Sequence, residues 1–286
     1  MNKYLRVFQS IYIHPFLWAV IGIGVITAHF YELCLLLFII MVHELGHAMA
    51  AASFSWRIKR IALLPFGGVA EMDEHGNRPL KEEAIVTAAG PIQHIWMVGL
   101  GFLVYEQGLM SEYLFDTFLE FNIMIFCFNL LPIWPLDGGK ILFLFLSLKK
   151  SFPAAHKWTL LLSLTGTLLF LAVVLLFMPA NLNAWIILLF LWFSIFYEWK
   201  QRRYIFLRFL LERYYGKTNE LRKLMPIEVK EEDLVFHVLE RFHRGCKHPI
   251  ILKKGKVSHS LDENEVLHAY FAEKLVTAKI GDLLYR

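Results

Sequence analysis

Residues 41–50 read MVHELGHAMA, which sets His43, Glu44 and His47 inside a long apolar stretch. Two histidines four apart stand one above the other on a single helix face, so both imidazoles can reach one ion. Zinc accepts two His and a carboxylate and keeps a fourth position for water. Glu44, one residue after the first His, falls beside that open position, where a general base is needed. The setting adds weight, because a charged group in mid-span costs about 2.5 kcal/mol or more and marks a functional interior. The competing reading is a hydrogen-bonded polar cluster between helices, which has no need of this spacing.

A third ligand should be a carboxylate from another apolar run. The acids in or near such runs are Glu32, Glu106, Asp116, Glu120 and Asp137. Asp137 stands apart because it lies in NLLPIWPLDGGK, residues 129–140. Pro132 and Pro135 cannot continue a helix, and Gly138 and Gly139 are expected to release the backbone further. Unwound backbone at membrane depth is tolerated where it lines a cavity, so this segment both breaks a span and delivers a carboxylate. The alternative is an Asp capping a loop at the membrane surface.

Outward from these motifs, 57% of the 286 residues are apolar, 19% are charged, and the mean hydropathy is +0.49. Ordinary soluble domains run nearer 45–50% apolar and about 25% charged. The composition excludes a disordered chain, a collagen-like fibre and a disulfide scaffold, and it reads as a polytopic α-helical membrane protein. Apolar runs cover 9–29, 31–54, 84–105, 113–132, 157–178 and 181–197, each near the roughly 20 residues that cross the hydrocarbon. The first is read as a retained anchor, not a signal peptide. The intervening segments alternate between basic and base-free: 55–83 carries five Lys or Arg and 138–157 four, while 29–33, 106–112 and 179–183 carry none. The positive-inside rule then predicts six transmembrane helices with both termini cytoplasmic.

Charge is uneven. Residues 1–198 carry a net −2, residues 199–216 +4 and residues 217–286 +2. The basic stretch KQRRYIFLRFLLERYYGK mixes Arg with Phe, Leu and Tyr, which suits a helix lying on the inner leaflet better than a nucleic-acid patch. No nucleic-acid partner is expected. Cys34, Cys127 and Cys246 lie far apart and form no CxxC pair, so no thiolate metal site is signalled. These shifts divide the chain into a membrane domain (1–198), a basic amphipathic linker (199–222) and a small tail (223–286).

HELGH at 43–47 together with NLLPIWPLDGG at 129–139 resembles the site-2 protease family of intramembrane zinc metalloproteases, above all its bacterial branch with a C-terminal regulatory domain. The resemblance implies a membrane-embedded zinc site with His43, His47 and Asp137 as ligands and Glu44 as catalytic base. It implies that Asn129, Pro132 and Pro135 contact substrate. It further implies a substrate, the membrane-associated pro-sequence of a sporulation sigma factor precursor (pro-sigma-K), and inhibitory membrane partner proteins. The membrane would be the one around the forespore, facing the mother cell. The chain departs from the family's Gly-Pro-x-x-Asn pattern at Gly90-Pro91-Ile92-Gln93-His94, where His94 stands at the Asn position. A lone intramembrane His is more often a satisfied interior group, so His94 stays outside the ligand set.

IKRIALLPFGGVAEM, residues 58–72, is too short to span and looks like strand–turn–strand. Its edge could pair with an extended substrate, or the segment could be a re-entrant packing loop. The tail reads β-α-β-β-α: a strand at 227–230, a helix at 232–242, strands at 248–253 and 256–259, and a helix at 262–273. That order resembles a single cystathionine-β-synthase-type (CBS) module, a small cytoplasmic α/β domain. Such modules pair and bind adenine nucleotides, which implies ATP and a homo-oligomer formed through the tail; no nucleotide-contacting residues are readable. A dimerisation or docking domain without ligand is the competing reading. Two other functions compete with proteolysis: a divalent-metal transporter, which has no use for Glu44 at its position, and a catalytically silent receptor that keeps the fold.

Overall fold

The computed structural model describes residues 7, 10–13, 15–64, 67–72, 78–216, 223–254 and 257–285. It divides into two compact units, one comprising 1–142 and 163–192, the other 143–162 and 193–286.

The first unit begins with a short strand, β1 (Ile11–Ile13), and helix α1 (Pro15–Ile26). The apolar run expected to be one span from residue 9 is thus divided ahead of Pro15, and α1 alone, with 12 residues, rises about 18 Å. Helix α2 (Phe30–Ser53) carries the HELGH motif; good helix formers in its last turns keep it regular until Ser55, which turns to φ 60°. Strands β2 (Ile58–Leu64) and β3 (Gly67–Met72) form the expected antiparallel hairpin. The turn itself, Pro65 and Phe66, lies outside the described residues. β1 pairs parallel to β2, giving the order β1-β2-β3 and leaving β3 at an edge among the described residues.

Helices α3 (Leu80–Glu106) and α4 (Glu112–Asn129) follow, then α5 (Asp137–Ser147), α6 (Phe152–Phe177) and α7 (Leu182–Tyr215). Among the described residues four helices are long and apolar enough to cross a membrane: α2, α3, α6 and α7. α4 has 18 residues, with the acids Glu112, Asp116 and Glu120 exposed on one row and Phe118, Asn122 and Ile125 buried. Two clusters hold the hairpin and these helices around the motif. Ala48, Ala52 and Ile61 pack α2 on β2, while Ile39, Met97, Phe118 and Ile125 join α2, α3 and α4.

The collar at 199–215 is helical and continuous with the rest of α7, since no Pro or Gly interrupts the helix before Gly216. The rest of the proposed linker, 217–222, lies outside the described residues. In the second unit, β5 (Ile227–Val229), α8 (Val235–Leu239), β7 (Ile250–Lys254), β8 (Val257–Leu261) and α9 (Glu263–Phe271) follow the expected order, to which two unexpected two-residue strands, β4 (Lys223–Leu224) and β6 (Cys246–Lys247), are added. β5-β7-β8 form its main sheet, and β4 pairs with β6. Lys256, the start of one expected strand, lies outside the described residues. Arg213 on α7 is buried, pairs with buried Glu263 and donates to the carbonyls of His243 and Cys246.

Beside that pair, fully buried His248 donates from Nδ1 to the Met225 carbonyl (2.8 Å) and accepts the His243 N–H at Nε2 (2.8 Å). Both nitrogens are therefore committed to the neutral ring. Burial, helped by the Arg213 cation, pushes its pKa below the ordinary value of 6.5. The unfolded ring takes up a proton at a pH where the folded ring does not. The contribution to stability is therefore whole above about pH 6.5 and is lost as pH falls below it. Melting of the purified chain is expected to show a drop on going from about pH 7 to about pH 5.5 that is smaller in His248→Asn. Equal drops in both proteins would refute it.

Candidate metal centre

His43 and His47 lie one turn apart on α2, their rings edge to face with centroids 4.8 Å apart. Their Nε2 atoms are 3.2 Å apart, and Asp137 Oδ2 lies 3.1 Å from the first and 3.0 Å from the second. All three side chains are buried. Among the described residues this is the one group of three His, Cys, Asp or Glu residues close enough to share an ion.

Bare backbone makes the convergence possible. A methyl on Gly90 of α3 would lie 2.2 Å from His47 Nε2 and 2.8 Å from His43 Nε2, and one on Gly46 of α2 would lie 2.6 Å from the Ala89 carbonyl oxygen. The two helices therefore touch through glycines, the close approach that small residues allow within a bilayer. Pro91 removes one hydrogen bond from the same turn of α3. The neighbouring Val86 carbonyl accepts the His47 Nδ1 hydrogen at 2.7 Å, so His47 presents a lone pair at Nε2.

Asp137 is the first residue of α5, where a carboxylate favours the positive end of the helix. Lys140, one turn on, donates to Oδ1 at 3.0 Å and leaves Oδ2 for the two histidines. The preceding loop is held by the Trp134 N–H, which donates to Ser163 Oγ at 2.9 Å, and its Trp134–Pro135 peptide is cis. The expectation that Gly138 and Gly139 unwind the chain is corrected: both are helical, in the first turn of α5. Side chains there would lie 2.2–2.6 Å from the backbone of Leu130, Leu131 and Ile133, so the glycines serve close packing.

The donor set fits zinc. Tetrahedral ligand atoms at ordinary zinc distances are separated by about 3.4 Å, close to the triangle seen here. Two ring nitrogens and a carboxylate oxygen this close repel one another unless a cation or a proton lies between them. The outer nitrogens are occupied too, His47 Nδ1 by Val86 and His43 Nδ1 by His94 Nε2 at 3.1 Å. That is the usual outer support of a metal-bound imidazole.

Glu44 is buried, and a side chain on Gly68 of β3 would meet its Cγ at 2.2 Å and its Oε1 at 2.9 Å. The hairpin thus closes over the Glu44 carboxylate. Asn129 ends α4 and donates to the Ile125 carbonyl at 3.1 Å; exposed Pro132 and half-buried Pro135 lie in the loop leading to Asp137. His94, set aside on sequence grounds, is buried against His43. The signal that could have found it is its place four residues after Gly90, on the face of α3 that meets the ligands.

The sequence profile of peptidase family M50 matches residues 31–112 and 104–173. Stage IV sporulation protein FB of Bacillus subtilis (strain 168) is 52% identical over 285 residues, which cover 99% of each chain. A zinc metalloprotease of Methanocaldococcus jannaschii is 34% identical over 149 residues, half of this chain and 43% of that protein. The solved structure of the site-2 protease from Methanocaldococcus jannaschii superposes with a TM-score of 0.53 and 29% identity, covering 66% of this chain and 89% of that one.

Proposed function

Since the chain belongs to peptidase family M50, the site-2 zinc metalloproteases, we propose that His43, His47 and Asp137 hold its zinc and that Glu44 is the general base of peptide-bond hydrolysis within the membrane. The meeting of two Nε2 atoms and Oδ2 carries this reading. When bound, zinc supplies Lewis-acid polarisation of a carbonyl and makes water acidic near about pH 7. Glu44 takes a proton from the attacking water and delivers it to the departing amine nitrogen as the C–N bond breaks. Lys140 keeps Asp137 turned so that only one oxygen faces the histidines. A substrate helix hides its carbonyls in i→i+4 bonds, so a short stretch must unwind before attack. Edge strand β3, which touches Glu44 through Gly68, is suited to receive that stretch, and Asn129, Pro132 and Pro135 are placed in the segment that leads into Asp137.

Likeness over 99% of both chains to a stage IV sporulation protein supports pro-sigma-K as substrate, and the proposal extends to inhibitory membrane partners and to the membrane around the forespore as location. The six-span reading takes the run that holds β1 and α1, and the 18-residue α4, as the two further crossings beside the four long helices, and the alternation of basic loops supports cytoplasmic termini. The β-α-β-β-α tail supports a CBS-type regulatory domain at 223–286, joined by 199–222 to the membrane domain at 1–198, with ATP as ligand and pairing of copies as its mode. The test is cleavage of a membrane-tethered pro-sequence by purified protein in lipid vesicles. It is expected to require bound zinc and to change rate with ATP. Absence of bound zinc would sink the metal assignment, and indifference to ATP would sink the nucleotide role of the tail.

A further inference from the structure

Asn122 of α4 donates from Nδ2 to the Phe118 carbonyl at 2.7 Å, which turns its Oδ1 toward His94 Nδ1, 3.0 Å away. An amide oxygen only accepts, so His94 carries its hydrogen on Nδ1. In the neutral ring Nε2 is then bare, and it lies 3.1 Å from His43 Nδ1. His43 must donate there, which leaves its own Nε2 bare and aimed at Asp137 Oδ2. Each step leaves one assignment. Three side chains on three helices, all buried, thus form a relay with one direction. His47 obtains the same result from a backbone carbonyl, whereas His43 depends on two side chains. The relay is neutral throughout, so it adds no charge in the membrane interior, where an acidic partner would be costly.

We propose that His94, itself held by Asn122, is a positioning residue that fixes the tautomer and ring orientation of His43 for the metal. The proposal rests on His43 being a zinc ligand. It is tested by zinc affinity, measured by chelator competition on the full chain in detergent and in a Glu44→Gln background, so that no cleavage is needed. His94→Phe is expected to weaken zinc about 10–100-fold, the usual effect of losing an outer partner. His94→Gln, whose amide oxygen can accept from His43 Nδ1, is expected to stay within about threefold of the parent. Asn122→Leu weakens zinc less than His94→Phe does, and the double variant binds no more weakly than His94→Phe alone, because Asn122 acts through His94.

A purely structural role would lower the melting temperature with and without zinc alike. The positioning role shrinks the gap between the two in His94→Phe and restores it in His94→Gln. Parent-like affinity in His94→Phe, an unchanged gap, or failure of Gln to rescue overturns the proposal. Absence of bound zinc from wild type and the Glu44→Gln parent alike overturns the ligand assignment along with it. Tight binding by that parent with an inert His94→Phe overturns the relay alone.

Discussion

Glu44→Gln is expected to keep its zinc and lose cleavage by at least about 10³-fold, within the span that positioned acid–base groups contribute. Glu44 lies on α2 between the two histidines and contributes no atom to the triangle of Nε2, Nε2 and Oδ2. The amide keeps the size of the side chain and its fit under Gly68, where there is no room for a bulkier neighbour. It cannot take a proton from water, so only the chemical step fails. Bound zinc by elemental analysis and turnover of a membrane-tethered pro-sequence, measured on one preparation, decide the matter. Variant and wild type equally active would remove Glu44 from the chemistry; zinc lost together with activity would make it part of the metal site.

Asp137→Asn is expected to lose both metal and activity. The carboxylate is the one formal negative charge in the donor triangle, and a neutral amide weakens the hold on a divalent ion by more than the about 10–100-fold of an outer partner. The fold is expected to survive. Lys140, which donates to Asp137 Oδ1, has a side chain 45% exposed, so water can replace the lost partner. Zinc content near zero with a secondary-structure spectrum matching wild type is the anticipated result. Full zinc occupancy in Asp137→Asn would show that the third ligand is another group.

The centre of the site was legible because its logic is local. Spacing of four places His43 and His47 on one face whatever surrounds them, and Asp137 stood out as the acid following two prolines. What the sequence could not disclose depends on approach between helices. Gly138 and Gly139 looked like relaxation of the backbone, yet they are helical because neighbouring backbone leaves no space for side chains. His94 looked like an isolated polar group because its partners, His43 and Asn122, are 51 and 28 residues away. The run from residue 9 looked like a single span because a short apolar strand and a short apolar helix share the same composition. Ile11–Ile13 is a strand through its pairing with Ile61–Leu63, which only the hairpin provides.

If substrate pairs along β3 as proposed, the absence of a side chain at Gly68 would give the hairpin a metric function. Strand β3 approaches the base at Gly68, so a substrate that pairs along its edge would be gauged against Glu44 in steps of about 3.4 Å. Sliding the substrate by one residue exchanges the sides on which its side chains lie and brings a different peptide bond to the base. Selection of the cut then becomes a matter of counting from where pairing begins, and less of which residues flank the bond.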